Sequence, residues 1–430
     1  MNFRTYSSQK KTAALWLETL PGGWSELRGK QIFDQIRAPK KAGDEQLSAT
    51  QKYGVVPQSL FMEQEGSRVV LALSGTENFR HVDKGDFVIS LRSFQGGIER
   101  CYFDGCVSPA YTILKKSRDI AEDFFSYLLK CDWFIAALQI GITGIREGKN
   151  ISYNEFGKIV LPFPDPEEQA AIAQFLDRET AQIDGLIEKK GRFIELLKEK
   201  RAAVITHAVT KGIDADVPMK DSAVEWIGQI PMHWDVIRIA ALFREAFRVP
   251  DPNLPVLSVS IHDGVTDGEL SDEERDRKVV LSEDRTKYQG VAPGDLVYNM
   301  MRAWQGAFGA VAVNGLVSPA YVVACPISQF RTKFIEHLLH TRSAAEEIRR
   351  FSRGIADFRM RLYWDHFRNL RVCMPPLDEQ DAILSYIDRE TVRIEGLISK
   401  TNRSIELLKE KRSALITAAV TGKIDVRNAA

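Results

Sequence analysis

The sequence predicts an α+β protein made by internal duplication. Two α/β globular modules stand in tandem, separated and followed by long helices that pair as an antiparallel coiled coil, with the halves related by an approximate twofold axis. Three observations predict this. Residues 167–214 return as 378–425 at a constant offset of 211, with 30 identities in 48 aligned pairs and with DRET and IELLKEKR unchanged. Weaker matches, 210 apart, reach back from that segment: Trp16 with Trp226, Pro21 with Pro231, Trp24 with Trp234. Each matched segment opens on prolines and then runs roughly 40 residues without another, rich in Ala, Leu, Ile, Glu, Lys and Arg, as a long helix requires. The boundaries that follow are globular modules at 1–160 and 216–372 and helical segments at 161–215 and 373–430.

Each module starts with a Trp-rich lead, WLETLPGGW from Trp16 and VEWIGQIPMHW from Val224, read as packing anchors. Strand-like runs follow at Arg68 to Leu73, Phe87 to Arg92 and Tyr111 to Leu114 in the first module. In the second they fall at Leu296 to Met300, Ala307 to Val313 and Ala320 to Ala324. Gly-Asp, Gly-Gly and Asn-Gly turns punctuate them. One helix is expected in each module, at Asp119 to Leu138 and Thr332 to Phe351, over a mixed or antiparallel sheet.

At the first long helix Asp165 is placed to cap the N-terminus, Pro166 suits the first turn, and Glu168 occupies the capping-box position. Apolar residues then alternate at spacings of three and four, the pattern of a helix-pairing seam. The first copy places Ile172, Leu176, Ile183, Leu186, Phe193 and Leu197 on it; the second places Ile383, Ile387, Ile394, Leu397 and Leu408. Flanking isoleucines, Ile187 and Ile398 among them, widen the stripe enough for a helix from a partner. Such a helix is about 60 Å long at 1.5 Å per residue. Antiparallel pairing would set the two modules at opposite ends, the geometry with which a dimeric reader spans two DNA half-sites about one or two turns of duplex apart.

Composition narrows the function. The chain has 430 residues, 58 basic and 58 acidic, so it is no polycation that coats nucleic acid indiscriminately. No apolar run approaches a membrane span and the N-terminus lacks an apolar signal core, so a cytoplasmic protein with no membrane partner is expected. Five cysteines (101, 106, 131, 325, 373) show no CxxC spacing, which argues for free thiols. A phosphate loop and an amino-methyltransferase motif are both missing: Met374-Pro-Pro-Leu377 lacks the acid or amide and the aromatic that methyl transfer uses. No histidine pair has metal spacing. Catalytic and metal residues are accordingly none.

Candidate DNA contacts come from three places. Arg92 with Gln95, and Arg302 with Gln305, follow a strand where a turn would present them, and Arg and Gln make bidentate contacts to guanine and adenine edges. A duplicated pair suits a structural role better than a specifying one, because two modules reading different sequences should differ at their reading positions. The loop at 143–150, with Arg146 and Lys149, and the loop at 353–361, with Arg353, Arg359 and Arg361, differ between the modules, as differing specificity requires. The second of these lies in the most basic stretch of the chain, suited either to phosphate contact or to a solvated helix face.

The WIGQIPMHW lead (226–234), GDLVYNMMRAWQG, VSPAYVV, the EQ that opens each long helix, and DRET…IELLKEKR together resemble the DNA specificity (S) subunits of type I restriction-modification enzymes, over essentially the whole chain. The N-terminal LWLETLPGGW departs from the fuller lead. The resemblance implies target recognition domains in the two modules, each binding one half of a bipartite, asymmetric sequence in double-stranded DNA. It implies spacer helices that dock two methyltransferase (M) subunits, and an assembly that recruits two restriction/translocase (R) subunits. It further implies a non-catalytic chain that binds no cofactor, S-adenosylmethionine, ATP and Mg being held by the partners. Ile187, Leu186, Leu197, Leu397, Ile398 and Leu408 are carried over as helix contacts.

Overall fold

The structure is a computed structural model and describes residues 4–65, 76–140, 151–261, 264–266, 287–354 and 360–427. It resolves into two compact units, one of residues 1–190 with 402–430 and one of residues 191–401. The expected strand at 68–73 lies outside the described residues.

In the first unit Phe33–Ile36, Thr112–Lys116, Phe87–Ile89 and Glu99–Arg100 form an antiparallel sheet in that order. Side chains on a strand alternate faces. Phe87 and Ile89 therefore join Phe33 and Leu114 under the helices of the domain, against Phe124, Phe125 and Leu128. Val88 and Ile113 point the other way, into a smaller core with Leu47, Val55, Val82 and Val107. A sheet buried on both faces reads as continuous apolar runs, which is why these short strands showed no alternation.

The second unit repeats the order with Phe243–Glu245, Tyr321–Pro326, Leu296–Asn299 and Phe308–Ala310. Leu296, Tyr298, Val322 and Ala324 meet Phe334, Ile335 and Leu338; Val297 and Val323 meet Leu257, Val259 and Val317.

The single helix expected in each module is two. The first unit has Glu122–Leu128 and Asp132–Ile140, the second Thr332–Leu339 and Arg342–Phe351. The break is held from outside. The Leu129 carbonyl accepts the Ile98 N–H at 3.0 Å, and the His340 ring hydrogen-bonds the Phe308 carbonyl at 2.9 Å, so the end of the first helix is tied to the sheet. Thr341 then caps the next helix, its Oγ1 accepting from the Ala344 N–H at 3.3 Å.

The GD turns solve one problem in two ways. Asp86 and its counterpart Asp295 are both buried, each accepting a backbone N–H from the turn, at 3.0 Å from Asp83 and 2.8 Å from Ala292. In the second unit the Arg248 guanidinium forks Asp295, with Nη2 3.0 Å from Oδ1. Among the described residues Asp86 has no such fork: burial pushes its carboxyl up to about 6, against the Asp83 amide and the charges of Lys115 and His81, and the Asp83 charge adds to the rise. His81 lies nearby with Nδ1 2.9 Å from Asp44 and Nε2 2.8 Å from Asp83. Burial and Lys41 disfavour its charge, but the two carboxylates outweigh them and its pKa is raised.

Both shifts have the same sign. A group whose folded pKa is raised contributes stability present below its unfolded pKa and lost as pH rises through the folded value. For Asp86 that window runs from 3.8 to about 6, and for His81 it starts at 6.5. Asp86→Asn keeps an oxygen for the Asp83 amide and removes the first loss. It is expected to raise stability at pH 7.5 by about 2 kcal/mol, with no gain at pH 3, in urea unfolding at the two pH values.

The two long helices are Pro166–Lys211 and Leu377–Val420. Asp165 caps the first as expected, its Oδ1 accepting the Glu168 N–H at 2.8 Å. Glu168 does not complete a capping box: its carboxylate instead accepts from the Tyr6 hydroxyl at 2.7 Å. In the first unit Ile172, Leu176, Ile183 and Ile187 share a core with Leu408, Leu415, Ile416 and Ala419. In the second, Ile205, Ala208 and Val209 share one with Ile383 and Ile387. Ile194, Leu197 and Ile394 are also buried and Ile398 is half-buried.

Leu186, Phe193 and Leu397 correct the seam: they are 47%, 45% and 39% exposed. Successive residues turn about 100° round a helix, so Ile187 and Ile194 hold the buried line while the residue before each is carried outward. Among the described residues no helix is long and apolar enough to cross a membrane, and all five cysteines are free thiols, four of them buried.

Candidate nucleic-acid interface

The strand Leu296–Asn299 ends in a tight turn. Asn299 Oδ1 accepts the Met301 N–H at 2.9 Å, and a single turn of 3-10 helix, Ala303–Gln305, closes on Gly306. Gly306 has φ +99°, which a side chain would strain. Arg302 and Gln305 stand on this turn, with Arg302 Nε donating to Gln305 Oε1 at 3.2 Å. The turn packs on the second domain helix, where the Arg349 guanidinium lies 5.3 Å from the Trp304 ring centroid.

That helix leads to the base of the next candidate loop. Arg353 and Arg361 exchange both backbone hydrogen bonds at 2.9 Å, and the Leu362 N–H donates to the Met300 carbonyl at 2.9 Å. The second unit thus brings Arg302, Gln305, Arg353 and Arg361 together, on two segments joined at Met300. Arg353 and Arg361 are exposed and carry no ion pair among the described residues, whereas Arg350 is paired with Glu225 and Glu347. Arg359 lies outside the described residues.

In the first unit Arg92 and Gln95 occupy the equivalent turn, Ser93–Gly96, and both are exposed. Gln139, on the helix Asp132–Ile140, donates to the Phe94 carbonyl at 2.9 Å and holds the turn against it. That helix is followed in the sequence by 141–150, and Arg146 and Lys149 lie outside the described residues. Below each turn sits the tyrosine of VSPAY. Burial raises the phenols of Tyr111 and Tyr321, against the charge of Arg92 in the first and against hydrogen bonds with Val259 and Asn299 and the charge of Arg302 in the second.

A second duplicated constellation joins each domain to its helix. Gln169 is fully buried; its Oε1 accepts the Ala121 N–H at 2.9 Å and its Nε2 donates to the Pro164 carbonyl at 2.8 Å. Gln380 does the same with the Arg331 N–H at 2.7 Å and the Pro375 carbonyl at 2.9 Å. The preceding glutamates differ in what they hold: Glu379 anchors the second lead, through His233 at 2.7 Å and Trp234 at 3.0 Å, whereas Glu168 accepts from Tyr6, ahead of the first lead. Sequence reasoning noticed the EQ pair as a family mark and missed its role. Its retention in both copies at the domain-helix junction was the available signal.

The helices carry one matched pair of contacts. Arg412 Nε lies 2.9 Å from Asp184 in the first unit, and Arg201 Nη2 lies 3.3 Å from Glu395 in the second. At the 211 offset Asp184 corresponds to Glu395 and Arg201 to Arg412, so the same bridge is made twice with the helices exchanged. Such exposed pairs contribute about 0–1 kcal/mol, so they mark register more than they stabilise.

No family model matches this sequence, and no curated protein matches it. Solved structures do. A chain from a study of complex assembly and conformational transition of the type I R-M system aligns over 94% of this chain and 99% of its own, with a TM-score of 0.65 at 14% identity. The HsdS subunit from Thermoanaerobacter tengcongensis aligns over 94% of this chain and 98% of its own, with a TM-score of 0.55 and again 14% identity. Likeness at that identity speaks for architecture, and the architecture is unambiguous: this chain has the fold of the type I R-M HsdS subunit.

Proposed function

We propose that the chain is the DNA specificity subunit of a type I restriction-modification complex. Residues 1–160 and 216–372 are its target recognition domains, each reading one half of a bipartite, asymmetric duplex target. The segments 161–215 and 373–430 pair as an antiparallel coiled coil that spaces the readers. The observation that carries the reading is a pair of matching arginine and glutamine turns on matching sheets, each held against a domain helix that precedes a segment whose sequence differs between the modules. A common scaffold with divergent loops is what reading two different half-sites requires. The twice-made bridge of Asp184 with Arg412 and Glu395 with Arg201 supports antiparallel pairing.

Two methyltransferase subunits dock on the helices, where Leu186 and Leu397, equivalent by the repeat, leave apolar surface exposed. Two restriction/translocase subunits join through that complex. The chain itself catalyses nothing and holds no cofactor; S-adenosylmethionine, ATP and Mg belong to the partners, and the assembly works in the cytoplasm. Selection from a random duplex library by the chain with its methyltransferase partner tests the reading. An enriched bipartite motif is expected; no motif at any salt concentration would overturn it in favour of a scaffold that organises proteins without touching DNA.

The spacer role makes its own prediction. Inserting four residues in the middle of one long helix adds about 6 Å of helix, close to two base pairs of duplex. The same selection is expected to return unchanged half-sites at a changed separation. An unchanged separation would remove the spacing role and leave the recognition role standing.

A further inference from the structure

Leu91 and Met301 occupy equivalent positions, 210 residues apart, immediately before Arg92 and Arg302. Each follows a buried strand, yet Leu91 is 46% exposed and Met301 42%. An apolar side chain left in water beside an arginine, at the same place in both modules, calls for a ligand with apolar and anionic character together.

The backbone at the arginines is alike, although the first turn closes one residue later, at Gly97, than the second, which closes at Gly306. Arg92 has φ −112° and ψ 8°, Arg302 has φ −120° and ψ 6°. In both turns the glutamine N–H donates to the arginine carbonyl at 2.9 Å. The residues around the tips differ in how they hold this shape: the Ser93 hydroxyl accepts the Ser90 N–H at 2.8 Å in one, and the Trp304 indole donates to the Met301 carbonyl at 3.1 Å in the other. The start of the turn, from arginine to glutamine, is therefore built twice by different means and presents Leu in one module and Met in the other.

We propose that Leu91 and Met301 are specificity-determining residues, each contacting the 5-methyl group of a thymine in the major groove of its half-site. This rests on the DNA-reading role proposed above and extends it to named side chains. Arg92, Gln95, Arg302 and Gln305 are common to both modules, so they do not account for two different half-sites. The exposed residue that changes between the turns is the apolar one. Duplex DNA offers a small apolar group beside hydrogen-bonding edges only at the thymine methyl in the major groove, next to phosphates that attract the neighbouring guanidinium. Leu is γ-branched and stiff where Met is unbranched and adaptable, so the two tips fit differently placed methyl groups.

The test uses the full chain with its methyltransferase partner. Random-duplex selection is run on the wild type, Leu91→Ser and Met301→Ser, and binding to each selected duplex is then measured with thymines replaced by deoxyuracil, which removes only the methyl. Leu91→Ser is expected to relax one thymine position in one half-site, and Met301→Ser one in the other. Each should bind the wild-type target about tenfold more weakly, with unchanged affinity for unrelated duplex. Deoxyuracil at the relaxed position should weaken the wild type and leave the matching variant unaffected. Wild-type motifs from both variants, or an equal deoxyuracil effect in variant and wild type, would overturn the assignment while leaving the DNA-reading role intact. A wild type that returns no motif overturns both. Thermal unfolding of the two variants, expected to match the wild type because both sites are exposed, excludes loss of fold as the cause.

Discussion

Replacing Trp234 with alanine is expected to destabilise the protein by about 3–5 kcal/mol, the cost of emptying a fully buried indole site. Trp234 is completely enclosed, its ring meets Phe334 edge-on at 6.2 Å, and its Nε1 donates to Glu379 at 3.0 Å. Trp24, its repeat counterpart, is buried as deeply but its indole nitrogen has no hydrogen-bond partner among the described residues. The glutamate that would serve it, Glu168, is taken by Tyr6. The two alanine variants should therefore lose similar amounts. Phenylalanine separates them: Trp234→Phe is expected to cost about 1 kcal/mol more than Trp24→Phe, because it alone removes a charged hydrogen bond. Urea midpoints for the four variants decide it, and equal losses for the two phenylalanine variants would show that the Glu379 contact contributes nothing.

Gln380→Leu is the second large effect, expected at about 2–5 kcal/mol although leucine has nearly the same volume. The amide satisfies a half-buried N–H at Arg331 and a buried carbonyl at Pro375. Leucine leaves both without a partner, each costing about 1–3 kcal/mol. Gln380→Glu discriminates between packing and hydrogen bonding, since a carboxylate still accepts from the Arg331 amide but faces the Pro375 carbonyl oxygen with no proton to donate. It should destabilise at neutral pH and recover on acidification, when a protonated carboxyl regains the donor. Hydrogen exchange at the Arg331 amide reports the local opening. Unchanged protection in Gln380→Leu would mean that the first turn of the long helix is held by other contacts.

Much of this architecture was legible in the sequence because it is governed by local chemistry. Asp165 and Pro166 announce a helix start, and an uninterrupted proline-free segment announces its length. The errors arise where tertiary contacts decide. The break between Leu339 and Arg342 comes from a tie between His340 and a strand more than 30 residues earlier, which no helical pattern reveals. The choice of Ile187 over Leu186 for the seam depends on rotation round the axis, and a stripe with apolar residues at both positions leaves it open. For the candidate interface, Arg302 and Arg361 were each visible as residues, but their proximity depends on one backbone bond between Leu362 and Met300. Leu91 and Met301 were passed over because an apolar residue next to a strand reads as core until its exposure is known.

Gln169 and Gln380 each hold their domain through an amide hydrogen and a proline carbonyl oxygen, and Gln380 adds one side-chain contact, its Nε2 lying 3.2 Å from Met374 Sδ. Such a joint is blind to side-chain identity at the amide end, where Ala121 in one copy and Arg331 in the other serve equally. It behaves as a socket into which any domain of this backbone shape can be fitted. Interchangeability at the amide end is then a property of the joint itself: a foreign domain needs only a backbone N–H at that point, not a matched side chain.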